Sequence, residues 1–126
     1  MSNQNDLACS SAKKLIFSCS GAADVGAIAD KAARILNQEK IGKMFCTVGL
    51  GGKVKPILKA TQEASLLLAL DGCPLECTQH SLKQAGFNEF LSIRVTDLGM
   101  DKGKAPVTEE NVNIVVSRCK ELLVNE

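Results

Sequence analysis

Apolar positions along the chain follow two rhythms that alternate with each other. Short apolar runs centred on Leu15-Ile16-Phe17, Met44-Phe45-Cys46, Leu66 to Leu70 and Leu91 to Val95 have the length of buried strands. They predict strands over residues 14–18, 43–48, 66–70 and 90–95. Between them apolar residues recur at helical spacing. Val25, Ile28, Ala29, Ala32, Ile35 and Leu36 make one stripe within a helix predicted over 22–37. A shorter helix is predicted over 54–61, with Pro56 near its start. The last helix begins after Thr108 as N-cap, with Val107 and Val112 at the staple positions. Its buried stripe is Val112, Val115, Val116, Cys119, Leu122 and Leu123.

The third strand leads into the stretch that organises the rest. Asp71-Gly72 breaks the apolar run, Cys73 takes an N-cap position and Pro74 a first helical position, where no N–H is needed. That reading puts Cys73 and Cys77 on one side of the first turn of a helix ending near Ala85-Gly86. The polar loop over 96–104 is long enough to serve as a binding segment. Residues 1–12 read as a flexible polar tail carrying Cys9, and 13–126 as a single α/β domain.

Strands alternating with helices through short connections mean βαβ units. The expected fold is α/β: a small parallel four-stranded sheet, order 2-1-3-4, with helices on both faces, flavodoxin- or Rossmann-like. In such sheets ligands gather outside the carboxyl ends of the strands, here at the switch point between strands 1 and 3.

Composition narrows the function classes. Aromatic residues are 3% of the chain, which argues against stacking on nucleic-acid bases, and a net charge of +1 gives no electrostatic case for DNA or an anionic membrane. The opening residues lack a basic segment followed by an apolar one, so a cytoplasmic protein is expected. In that compartment the six cysteines point to metal or thiol chemistry rather than a disulfide framework.

Cys19, Cys46 and Cys73 each end or follow a predicted strand, and parallel strands end at one edge. Neighbouring strands stand about 4.8 Å apart, so three ends fall within roughly 10 Å, and Cys77 returns over the same edge. Four thiols far apart in sequence can therefore converge. Four thiolates around Zn²⁺ leave a net charge of −2, which helix N-termini and Lys53, Lys102 or Lys104 could offset. Cu(I) or an iron–sulfur cluster would suit the same ligands, though zinc fits an oxygen-exposed cytosol better. A second reading makes Cys73 an activated thiolate, with Cys77 as resolving thiol or His80 as proton donor. A third makes the chain an accessory module handing metal or sulfur to a protein partner. Gly49-Leu50-Gly51-Gly52-Lys53 lacks the spacing of a phosphate loop, but its N–H groups and Lys53 could hold a small anion. Asp71 is either a helix cap or an outer-shell acceptor. Cys9 reads as a free thiol and Cys119 as a core residue.

Asp71-Gly72-Cys73, with Cys77 behind it and Cys19 and Cys46 ahead, resembles the DGC-domain family, named for that tripeptide. The segments from Cys19 to Gly26 and from Arg94 to Met100 resemble it too. The resemblance spans roughly Lys14 to the end of the chain. It implies a zinc-binding protein with four cysteine ligands, carried onto Cys19, Cys46, Cys73 and Cys77. It implies no particular reaction.

Overall fold

A computed structural model describes residues 13–124, so the tail and Cys9 lie outside the described residues. The strands are β1 (Lys14–Ser18), β2 (Lys43–Met44), β3 (Leu66–Asp71) and β4 (Leu91–Arg94). They form a four-stranded sheet in the order β2-β1-β3-β4, and every pairing is parallel. The helices are α1 (Asp24–Gln38), α2 (Thr47–Gly51), α3 (Lys55–Gln62), α4 (Cys77–Gln84) and α5 (Glu109–Val124), with a 3-10 turn over Val95–Leu98. Fold class and strand order are those expected from the sequence.

Strand alternation sorts the core into two layers. Ile16, Leu68 and Leu70 face one way, into a core built with Val25, Ile28 and Ala32 of α1 and Val115, Cys119 and Leu123 of α5. Leu15, Phe17, Leu67 and Ala69 face the other way and meet Leu50 of α2 and Leu82 of α4. The register matches, with Ile16 beside Leu68 and Phe17 beside Ala69. Thr108 caps α5 as expected, its hydroxyl accepting the Asn111 N–H at 3.2 Å.

Two local expectations need correction. The second strand stops at Met44, and the predicted glycine turn is largely helix α2. Gly49 accounts for that helix: a Cβ there would stand 2.7 Å from Ile57 Cγ1, so the absent side chain lets α2 lie close against α3. The second correction is the start of α4. It begins at Cys77, not around Cys73 and Pro74, and follows Glu76, which has a left-handed backbone at φ 54°. Cys73 to Glu76 is instead a tight turn, with the Glu76 N–H donating to the Cys73 carbonyl at 3.1 Å. Cys73 and Cys77 therefore do not share a helical turn.

Candidate functional site

All four candidate cysteines sit at the carboxyl edge of the sheet. Cys19 follows β1 directly and extends its ladder, its N–H donating to the Leu70 carbonyl at 2.9 Å. Cys46 is the N-cap of α2. The Thr47 hydroxyl donates to the Ser18 carbonyl at 3.0 Å, which fixes that helix start beside the end of β1. Cys73 lies two residues beyond β3, and Cys77 opens α4. The Cys19 and Cys73 side chains are half-buried against the α1/α5 core, whereas Cys46 and Cys77 are exposed.

The Asp-Gly-Cys tripeptide has a physical reason at each position. Asp71 continues the alternation of Leu67 and Ala69, and so faces the α4 side of the sheet. Its carboxylate, 1% exposed, accepts the Thr78 N–H at 2.7 Å and the Gln79 N–H at 3.2 Å. That is capping of α4 from seven residues upstream, and it places a negative charge at a helix start. Gly72 lies against α1: a Cβ there would stand 2.9 Å from both the Gly26 nitrogen and the Val25 carbonyl carbon. Its carbonyl accepts the Thr96 N–H at 3.2 Å, joining the turn to the segment after β4. Gly26 also faces the first thiol, since a Cβ on it would stand 3.4 Å from Cys19 Sγ. One small patch of the α1 start thus carries both the Cys19 sulfur and the backbone that leads into Cys73.

Charges ring this edge. The Lys102 ammonium is 3.7 Å from Cys73 Sγ. Asp24 ties the Lys102 loop to α1: its carboxylate accepts the Gly103 N–H at 2.9 Å and the Ala105 N–H at 3.0 Å. The Gly103 bond, then the Ala105 bond, holds the Asp24 carboxyl below its usual range. Glu76 is steadied by Arg94 at 3.4 Å and by Gln79 at 3.2 Å. Nothing local in the sequence marks Asp24 as a latch, because its partners lie about eighty positions downstream. Within the polar loop the sequence could only name Lys102 beside Lys104.

The remaining candidates separate. His80 lies on α4 and is exposed. Cys119 is fully buried, and burial pushes its thiol up to about 12, as expected for a core cysteine. The anion cradle expected at Gly49 to Lys53 is not formed. The N–H groups of Gly49, Gly52 and Lys53 donate to the carbonyls of Cys46, Val48 and Leu50. A surface cleft between Thr61 to Leu67 and Gly86 to Leu91 opens at the opposite, amino edge, away from the thiols.

Four thiols at one sheet edge form a donor set suited by type to a soft metal ion. As the side chains stand, they are not drawn together: among the described residues, no three His, Cys, Asp or Glu groups are arranged to hold a metal ion.

The chain matches the DGC domain family over residues 15–119. It belongs to that family. The anaerobic and virulence modulator AnvM of Pseudomonas aeruginosa is similar, 31% identical over 88 residues that make up 70% of this chain and 67% of AnvM. No solved structure matches. The matched span of this DGC-domain chain includes Cys19, Cys46, Cys73 and Cys77 and leaves out Cys9. No helix among its described residues is long and apolar enough to cross a membrane.

Proposed function

We propose that this DGC-domain protein binds zinc through Cys19, Cys46, Cys73 and Cys77, in a structural or metal-handling role in the cytoplasm. The observation that carries the reading is the placement of four cysteines, from three separate stretches of the chain, at the carboxyl edge of one parallel sheet, around the switch point between β1 and β3. Cys19 and Cys73 form the anchored half, set against the α1/α5 core. Cys46 and Cys77 head α2 and α4, two helices that pack on each other, and their thiols are exposed at the same edge. Zinc held by all four thiolates would cross-link the segments that carry them and would leave no open position for water. The chain's residues keep the thiols at the edge, cap α4 through Asp71 and set the Lys102 ammonium beside Cys73.

Elemental analysis of protein purified without chelator tests this. One zinc per chain is expected, with loss of metal and a lower melting temperature together in Cys73→Ser, because metal binding couples to folding. Unchanged zinc content and melting temperature in that variant would remove Cys73 from the ligand set.

The Lys102 contact favours a second reading, in which Cys73 is a thiolate nucleophile acting on a small anionic substrate. It requires one hyper-reactive thiol, at Cys73, in the metal-free native protein. A Cys73 no more reactive than the other exposed thiols in the metal-free protein would exclude it.

A further inference from the structure

We propose that α2 and the start of α3 form a docking surface for a protein segment that is acidic and carries apolar side chains. Binding there requires no metal.

Glycine is placed against the grain on this surface. The end of α2 is closed by two bonds: the Lys53 N–H donates to the Leu50 carbonyl at 3.1 Å and the Val54 N–H to the Gly49 carbonyl at 2.9 Å. Such a closure sends one residue into the left-handed region, where glycine is favoured because it has no Cβ to strain. Here that residue is Lys53, at φ 55°. Two glycines stand just before it, where the backbone does not ask for them. Gly51 is the last residue of α2, and Gly52 is its right-handed cap. A Cβ on Gly51 would meet nothing within 4 Å beyond its chain neighbours and its own helix backbone. One on Gly52 would meet the Val48 oxygen at 3.4 Å and Val54 Cγ2 at 3.7 Å, ordinary contact distances. Alanine in their place would favour the helix. Three consecutive positions thus work against their own fold, with no contact among the described residues to explain it. Such local conflict is expected where a site serves something outside the fold. Bare backbone at Gly51 and Gly52 admits a close approach, and Lys53 presents a charge.

The surrounding side chains define what approaches. Leu50, Ile57 and Leu58 turn into the core, while Val48 is 81% and Val54 47% exposed. Lys55 and Lys59 share a face of α3, one turn apart. Neither they nor Lys53 form an ion pair among the described residues. Residues 43–62 hold four lysines and no Asp, Glu or Arg, in a chain whose net charge is only +1. The complement is therefore anionic. The closing N–H groups of α2 already donate to carbonyls, which leaves no backbone cradle for a small anion. Phe45, the one aromatic residue in this stretch, packs edge-on against Phe17 and offers no free ring for a base. Two valines are too small an apolar face for a bilayer. Carboxylates interspersed with apolar side chains match both the unpaired lysines and the exposed valines.

The probe is a fluorescein-labelled amphipathic peptide of Leu and Glu, titrated with the full chain and followed by anisotropy at low ionic strength. Saturable binding that weakens with added salt is expected. An all-Glu peptide, single-stranded DNA and phosphatidylserine vesicles should compete poorly. Val48→Ser should weaken binding roughly 10-fold with little change in melting temperature, because that side chain is buried only by the partner. Lys53→Gly should weaken binding roughly 5-fold and raise the melting temperature, because glycine relieves the left-handed residue. Gly51→Ala should also melt higher and bind more weakly, by obstructing the approach. A purely structural role would not drive the two readouts apart. Lys53→Gly and Gly51→Ala proteins that bind the peptide as wild type does overturn the proposal. So does a lower melting temperature in either, which would give these residues a purpose inside the fold. Failure of wild type to bind the Leu–Glu peptide overturns it outright. Equal or tighter binding of the all-Glu peptide, DNA or vesicles overturns the choice of occupant.

Discussion

The two faces of the sheet are built to different standards. One is covered by α1 and α5, the two longest helices, whose buried stripes close on Ile16, Leu68 and Leu70. The other carries α2 and α4, of 5 and 8 residues, and its buried core reduces to Leu15, Phe17, Leu50, Leu67, Ala69 and Leu82. Helices this short are marginal on their own and owe their stability to packing and caps. The candidate ligands divide along the same line: Cys19 and Cys73 against the thick core, Cys46 and Cys77 at the heads of the short helices. A site shared between a rigid half and a weakly held half can be closed by what it binds, which is how a metal both completes a fold and reports on it.

The thin face should break first, and at Asp71. Asp71→Ala removes a buried carboxylate that satisfies the N–H groups of Thr78 and Gln79. It should cost about 3 kcal/mol in urea unfolding, and Asp71→Asn, which keeps an acceptor, should cost less. Gly72→Ala attacks the seam between the faces. Its Cβ would stand 2.9 Å from the α1 backbone, which cannot move aside as a side-chain tip could. A loss of about 2 kcal/mol in the same assay is expected.

The thick face should show its character through pH. The Cys119 thiol is raised from 9.0 to about 12 by burial, so the folded chain holds that proton more tightly than the unfolded chain does. The stability it contributes is complete below 9.0 and declines as pH rises toward about 12. Cys119→Ala should therefore close the gap to wild type as the solution is made alkaline, measured as unfolding midpoint against pH. Asp24 runs the opposite way. Its carboxyl is lowered, so its contacts to the Gly103 and Ala105 N–H groups persist through the ordinary carboxylate range and fail as pH falls through the lowered value. The Gly103 and Ala105 amide resonances should shift together there and nowhere above. The smallest effect belongs to Thr78→Val. The Thr78 hydroxyl is buried with no hydrogen-bond partner among the described residues, so this variant should match wild type or gain up to about 1 kcal/mol.

What the sequence revealed and what it hid have separate physical causes. Strand positions and the α1 and α5 stripes were legible because burial imposes a period that survives in one dimension. The sheet order was among the few that right-handed parallel crossovers allow. The start of α4 was not legible: Cys73-Pro74 imitates a helix opening, and Glu76 in a left-handed backbone is not a residue type that announces such a bend. The α2 helix was hidden because Gly49, Gly51 and Gly52 read as a turn, while Gly49 is there to admit Ile57. At the site, sequence could name the four cysteines and their common edge. It offered Asp71 as a helix cap, which it is, though of a helix that starts at Cys77 rather than around Cys73 and Pro74; it could not find the Gly103 and Ala105 partners of Asp24, whose nearness depends on the folded topology. Nor could it divide the thiols into a half-buried and an exposed pair, which depends on the unequal depth of the two helix layers.

The central claim is that four particular thiols act as a set. Native protein, metal-free and zinc-loaded, should be alkylated and each cysteine mapped by peptide mass spectrometry. Zinc should protect Cys19, Cys46, Cys73 and Cys77 together, with Cys119 unreactive in both states. Protection of none of the four, or of Cys73 alone, would contradict it.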